Sequence, residues 1–165
     1  MRALTIWQPW ASLIMAGAKP IEWRSHHRCG TVVGQRIVIH AGMRPHERIE
    51  IAQLRMALID EGRKYLAGQR ITSPTGLDIP IALELLLRAW ADPSVLPLGA
   101  GLGTAILGEP KPAGDLGFPV DSDRLEHSNW GWPLSDVEVW PEPVPMRGGR
   151  GLWTWPVNEF AGEAA

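Results

Sequence analysis

Three charged residues, Lys19, Glu22 and Arg24, stand in a stretch, WASLIMAGAKPIEWRS (residues 10–25), whose other members are mostly of the kind that fill cores. So close together, a lysine, a carboxylate and a guanidinium can do two kinds of chemistry. As a binding set, the cations hold a phosphate or carbonyl oxygen while the glutamate accepts from an exocyclic amine. As a catalytic set, Lys19 and Glu22 form an acid/base pair beside a second cation. The plain alternative is a surface ion cluster, which is common and contributes little. Apolar neighbours on both sides argue against it. Partly buried cations bind something anionic or shift their pKa, and both outcomes are typical of sites.

Other residues add candidate contacts. Nine tryptophans are many for one domain. Most must be core, but one at a pocket mouth offers a stacking surface that every nucleobase can use. Trp7, Trp130 and Trp155 suit that role better than Trp23. His40 ends a core strand, which puts an imidazole at a rim where it hydrogen-bonds either a ligand or the fold itself. His26, His27, Cys29 and His46 are metal-ligand types, yet HH-x-C lacks the paired spacing of a zinc site, so no metal and no cofactor is expected. Gly99, Gly101 and Gly103 imitate a dinucleotide loop. Thr104 occupies the third glycine position and a strand follows, so these glycines are expected to let strands approach closely.

The elements that must position these groups are legible from periodicity. ALTIW (3–7) predicts a strand, and Pro9 suits the first turn of a helix. Trp10, Leu13, Ile14 and Gly17 recur at i, i+3, i+4 and i+7, which predicts one apolar helical face ending at a left-handed glycine. PIEWRS then predicts a strand with Ile21 and Trp23 inward and Glu22 and Arg24 on the other face, beside Lys19. QRIVIHAG (35–42) predicts another strand. A helix is expected over 45–60 with Ile51, Leu54, Leu58 and Ile59 as its buried stripe, an irregular segment over 63–80, and a helix over 81–90 stopped by Asp92–Pro93. LGTAILGE (102–109) reads as a strand and 111–129 as a surface loop. Residues 129–156 read as two or three strands around a turn at Gly148–Gly149.

Composition sets the outer bounds. At 165 residues the chain fits one domain able to bury about two thirds of its unfolded surface. The lone Cys29 excludes a disulfide framework and suits a reducing compartment, so a cytoplasmic location is expected. Gln8, Pro9 and Ser12 interrupt the N-terminal apolar stretch, which reads neither as a secretory signal nor as a membrane span, and no membrane partner is expected. A net charge of −2 argues against a protein that grips long duplex DNA over its whole surface. Charge is uneven, however. Residues 1–70 hold 11 Lys/Arg against 5 Asp/Glu, and residues 71–165 hold 5 against 13, so a local basic face is possible.

LTIWQPWASLIMAGAKPIEWRS resembles the opening of ASCH domains, whose pattern runs near Q-P-W/Y-A-x-x-I/L-x-x-G-x-K-x-x-E-x-R. It is matched here at Gln8, Pro9, Trp10, Ala11, Gly17, Lys19, Glu22 and Arg24. IVIHAG, LPLGAGLGTAIL and EPVPMRGGRGLWTW are similar to later strands of bacterial and phage-type members, so the resemblance spans most of 3–45 and 97–156. It implies an α+β, PUA-like mixed β-barrel with peripheral helices, in which 1–165 is a single domain with a helical insertion at about 45–95. It also implies a cleft beside the first helix lined by Lys19, Glu22 and Arg24, associated with RNA, nucleotides or modified bases. Some compact members are amidohydrolases of N4-acylated cytidine, and others are ribonucleases or nucleic-acid binders. The compact hydrolases carry a hydroxyl residue where this chain has Glu22, a departure that leaves Lys19 with Glu22 as the acid/base pair.

The function expected first is therefore binding of a nucleoside or an extruded RNA base, with Lys19, Glu22, Arg24, Gln8, Trp10, His40 and Trp155 as ligand contacts. The second expectation is a metal-independent amidohydrolase of N4-acylcytidine or a related modified nucleoside, with Lys19, Glu22 and Arg24 catalytic. The third is a protein-interaction domain using exposed tryptophans.

Overall fold

The β-branched, apolar opening of the chain forms strand β1 (Arg2–Ile6), and a six-residue helix, α1 (Trp10–Met15), follows it. A computed structural model describes residues 1–70, 75–116 and 129–156. After α1 come β2 (Ile21–Arg24), β3 (Arg36–Ala41), two helices α2 (Arg48–Leu66) and α3 (Ile79–Ala91), and β4 (Ala100–Leu107). The chain continues through β5 (Lys111–Pro112), α4 (Ala113–Leu116), β6 (Trp130–Pro145) and β7 (Leu152–Thr154).

The strands make one mixed sheet in the order β2-β6-β4-β3-β1-β7, with β5 also on β6. β1 and β3 are parallel and the other pairs antiparallel. The sheet curls strongly into a half-barrel flanked by α2 and α3, an α+β architecture. Curling follows from β6, whose first residues pair with β2 and β5 and whose remainder pairs with β4 through two register shifts. Bulges of this kind bend a strand and increase its twist. One shift lies between Gly101 and Gly103. A Cβ on Gly103 would strike the Glu138 carbonyl and one on Gly101 the Trp155 ring, so these glycines serve close strand approach as expected.

Alternation along the strands divides the interior. Leu4, Ile6, Ile37, Ile39 and Ala41 face Ala11, Ile14 and Met15 of α1 and Trp132 of β6. Ala3 and Val38 point the other way, into a cluster of Trp140, Trp153 and Trp155. A further core joins Leu13 and Ala18 to Ile51 and Leu58 of α2 and Ala82 and Leu86 of α3. The helix α1 thus lies between the half-barrel and the α2–α3 pair. Five of its six residues are buried, more than the single apolar face expected. A helix this short has little stability of its own, so packing on two sides holds it.

Several boundaries differ from expectation. α2 runs to Leu66, through residues expected to be irregular, because a capping box between Glu47 and Glu50 starts it and residues 61–66 contain no breaker but Gly62. α3 begins at Ile79, where the Asp78 carboxylate accepts from the Ile81 N–H. The two or three strands expected over 129–156 are two, β6 and β7 on either side of 146–151, and β6 runs unbroken over 130–145. Pro141, Pro143 and Pro145 are spaced by two, so their missing donors share one side, while the Met146 N–H just beyond them bonds Gly99. The expected loop over 111–129 contains β5 and α4, and its residues 117–128 lie outside the described ones, as do 71–74 of the irregular segment. Among the described residues no helix is long and apolar enough to cross a membrane.

Candidate functional site

The turn that carries Lys19 is built by the end of α1. Gly17 adopts φ +81°, a conformation costly for any residue with a side chain, and the Ala18 and Lys19 N–H groups both return to the Leu13 carbonyl. From the other side the Asp78 N–H, at the start of α3, donates to the Ala18 carbonyl at 2.9 Å. The helical pair therefore braces this turn.

Strand β2 then sorts its side chains by alternation. Glu22 pairs across the ladder with Trp132 and Arg24 with Trp130. Ile21 and Trp23 are buried, and Glu22 and Arg24 project together toward Lys19. Lys19 Nζ donates to the Ile21 carbonyl, lies 3.3 Å from Glu22 Oε2 and is 5.7 Å from the centre of the Trp10 ring. Glu22 Oε1 is 3.0 Å from Arg24 Nη2, which also donates to the Thr5 carbonyl at 3.1 Å. Because β2 ends one side of the sheet and β1 is next to the other end, Arg24 bridges the open seam of the half-barrel.

Lys19 is 3% exposed and Glu22 8%, so this is not the exposed ion cluster of the plain reading. The Arg24 side chain retains 24% exposure, yet its Nε is buried without a hydrogen-bond partner. A buried guanidinium donor left unmade costs free energy that an acceptor oxygen would recover. Glu22, held by two cations, keeps spare lone pairs for an incoming donor. The cluster thus sets a guanidinium donor and a carboxylate acceptor side by side.

The remaining expected contacts fall in different places. Gln8 is buried, and its amide is committed: Nε2 donates to Ser12 Oγ at 2.7 Å and to the Pro97 carbonyl at 2.9 Å, while Oε1 accepts from the Ser12 N–H. It secures the first turn of α1. Trp10 is half-buried beside Lys19 and packs against two cores. Trp155 lies in the tryptophan cluster on the far face of the sheet from α1, in ring contact with Trp140 and Trp153. Trp130 is half-buried against His27, and Trp7 remains exposed. His26 packs on Trp132, and the buried Cys29 thiol, pushed up by burial, faces the His27 carbonyl.

His40 is fully buried on that same far face, beside Trp153 and Trp155. Its Nδ1 is 3.2 Å from Thr5 Oγ1 and its Nε2 2.9 Å from the Met146 carbonyl. Trp153 Nε1 donates to Thr5 Oγ1 at 3.0 Å. One arrangement satisfies every group: neutral His40 donates from Nε2 to Met146 and accepts at Nδ1 from the Thr5 hydroxyl. Burial holds its pKa below the ordinary histidine value, against the bond to Met146. Gly148 completes the contact, since a Cβ there would come within 2.7 Å of the imidazole. His40 thus ties the 146–151 loop, through Nε2 and Met146, to β1, through Nδ1 and Thr5.

Sequence reasoning missed Thr5. Its carbonyl receives Arg24 and its hydroxyl joins His40 to Trp153, so it connects the charged cluster to the loop. Nothing in its local pattern marks it, because both roles depend on strands distant in sequence.

Fold and site define an α+β protein with a curled mixed sheet, peripheral helices and a buried Lys–Glu–Arg cluster at the sheet's open seam. No family model matches the chain, and the search of curated proteins finds no match.

Proposed function

We propose that this is a PUA-like, ASCH-type protein that holds a nucleoside or an extruded RNA base at Lys19, Glu22 and Arg24. The observation that carries the reading is the buried, unpartnered Arg24 Nε beside the Glu22 carboxylate. A cytosine-like edge presents acceptors, ring nitrogen N3 and the carbonyl oxygen beyond it, on one side of an exocyclic amine, which matches a donor beside an acceptor. Arg24 takes the oxygen, Glu22 accepts from the amine, and Lys19, 3.3 Å from Glu22 Oε2, holds that carboxylate in place. Trp10 supplies the aromatic wall beside Lys19. His40, Gln8 and Trp155 support the fold around the site, since their polar groups or ring faces are already engaged.

The test is a thermal-shift and calorimetric screen against cytidine, uridine, N4-acetylcytidine and short RNAs. Arg24→Ala is expected to weaken binding by about 1.5–3 kcal/mol, the scale of one charge-assisted hydrogen bond. Equal binding by wild type and Arg24→Ala, or no response to any ligand, would overturn the reading.

A second reading, amide hydrolysis of N4-acylated cytidine, is favoured by the 3.3 Å approach of Lys19 Nζ to Glu22 Oε2 in a buried setting. Glu22 would take a proton from water as it adds to the acyl carbonyl, Lys19 and Arg24 would hold the oxyanion, and the C–N bond would break as Glu22 passes that proton to N4, giving cytidine and a carboxylic acid that ionises in solvent. Chromatography of N4-acetylcytidine incubated with enzyme and chelator decides it. Glu22→Gln should lower any turnover by about 100-fold or more. Undiminished turnover in that variant would discard these roles.

A further inference from the structure

We propose that Trp7, Arg44, Arg147 and Arg150 form a rim that carries the backbone and a neighbouring base of a single-stranded polynucleotide, so that the ligand is a strand rather than a free nucleoside. This rests on the binding reading above and names the substrate class of that site.

The rim is assembled by three loops at one end of the sheet. The Gly99 N–H donates to the Gly42 carbonyl and the Met146 N–H to the Gly99 carbonyl, which stitches 42–44, 97–99 and 146–151 together. Gly42 packs against Trp7 and Thr5, and Gly148 packs against Thr5 and His40. Trp7 and the 146–151 loop thus flank the same threonine whose carbonyl Arg24 holds. The rim and the charged cluster are neighbours through one residue.

The chemistry of the rim suits a strand. Trp7 is 56% exposed, far more than burial-driven packing of an indole would leave, and the Arg44 guanidinium lies 4.5 Å from its ring centre. An exposed aromatic with a cation beside it is a platform for a base next to its phosphate. Arg44 is also 3.0 Å from Glu50, so its charge is shared with that carboxylate. Arg147 and Arg150 have no such competitor in their own segment: MRGGRG contains two exposed arginines, three glycines and no acid. A loop of this composition offers charge and backbone to phosphates and little apolar area to a protein partner. Backbone contacts carry no sequence information, so the rim sets affinity and the Lys19–Glu22–Arg24 cluster reads the base.

The experiment is fluorescence anisotropy with a fluorescein-labelled 12-nucleotide single-stranded RNA, the same sequence as DNA, and the RNA duplex, each at several salt concentrations. Cytidine 5′-monophosphate serves as the short competitor. Single strands should bind at least tenfold more tightly than the mononucleotide and more tightly than the duplex. Comparable RNA and DNA affinities would mean recognition of phosphate and base face alone, and an RNA preference would add the 2′-hydroxyl; both outcomes support the rim. In Arg147→Ala/Arg150→Ala the slope of log affinity against log salt should fall by about 1.4, two phosphate contacts at about 0.7 each. Trp7→Ala should weaken the single strand by about fivefold or more, the lower end for one stacked base. The cytidine response should survive in all these variants, with circular dichroism confirming their fold. Oligonucleotide binding no tighter than the mononucleotide, or an unchanged affinity and slope in the double arginine variant, would overturn the rim while leaving the base site standing. Conversely, rim-dependent strand binding indifferent to Arg24→Ala would refute the base site alone.

Discussion

Removing the Arg24 side chain tests the seam directly. In Arg24→Ala, Glu22 keeps its contact with Lys19, but the Thr5 carbonyl loses its donor and the two ends of the curled sheet lose their bridge. Two charge-assisted contacts disappear, each about 1.5–3 kcal/mol in a partly buried setting, and because they share one nitrogen they do not add fully. The Nε that is buried without a partner disappears as well, which returns part of the loss. The net expectation is destabilisation by about 2–4 kcal/mol, or a fall in Tm of about 4–16 °C for a chain of this size. Urea unfolding followed by tryptophan fluorescence measures the first and calorimetry the second. Arg24→Lys keeps a charge but not a fork that can reach carboxylate and carbonyl together, so it should recover less than half of the loss. A double-mutant cycle with Glu22→Gln should show coupling of about 1 kcal/mol or more. A midpoint for Arg24→Ala within about 1 °C of wild type would refute the bridging role and leave Arg24 as an accessory to ligand binding only.

Trp23→Ala should cost about 3–5 kcal/mol as a core truncation, measured by urea unfolding; a fully stable variant would overturn the facing of β2. His40 gives a pH dependence with a definite sign. Its folded pKa is depressed, so its contribution is fully present above the unfolded value of about 6.5 and is lost as pH falls from there through the folded value. Unfolding free energies at pH 7.5 and 5.0 should therefore differ more for wild type than for His40→Gln, and equal differences would contradict the neutral tautomer. Gly148→Ala places a methyl group 2.7 Å from His40 Cε1 and 2.9 Å from Thr5 Oγ1, and should destabilise by about 1–3 kcal/mol in the same unfolding assay.

Local periodicity carried a good deal of this protein. Alternation in PIEWRS was enough to place Glu22 and Arg24 together and Trp23 in the core, because the pleat of a strand leaves no other choice once one face is apolar. The glycine at 17 and the spacing of Leu13 and Ile14 likewise marked α1, its end and the turn bearing Lys19. The helices between β3 and β4 were visible in outline, with errors at their ends where caps rather than hydrophobic stripes decide.

What the tertiary structure decided were the properties that depend on partners far along the chain. Burial of Lys19 requires the α2–α3 pair behind its turn, and the bridge from Arg24 to Thr5 requires the sheet to curl through β6. Neither follows from a window of neighbouring residues. His40 shows the same limit: its sequence position at a strand end suited a ligand contact or a structural role equally, and the choice between them was made by Met146 and Trp153, more than a hundred residues away. Tryptophans were the least legible. An indole has the same composition at a rim as in a core, and only the packing of β7 against β1 separates the buried Trp155 from the exposed Trp7.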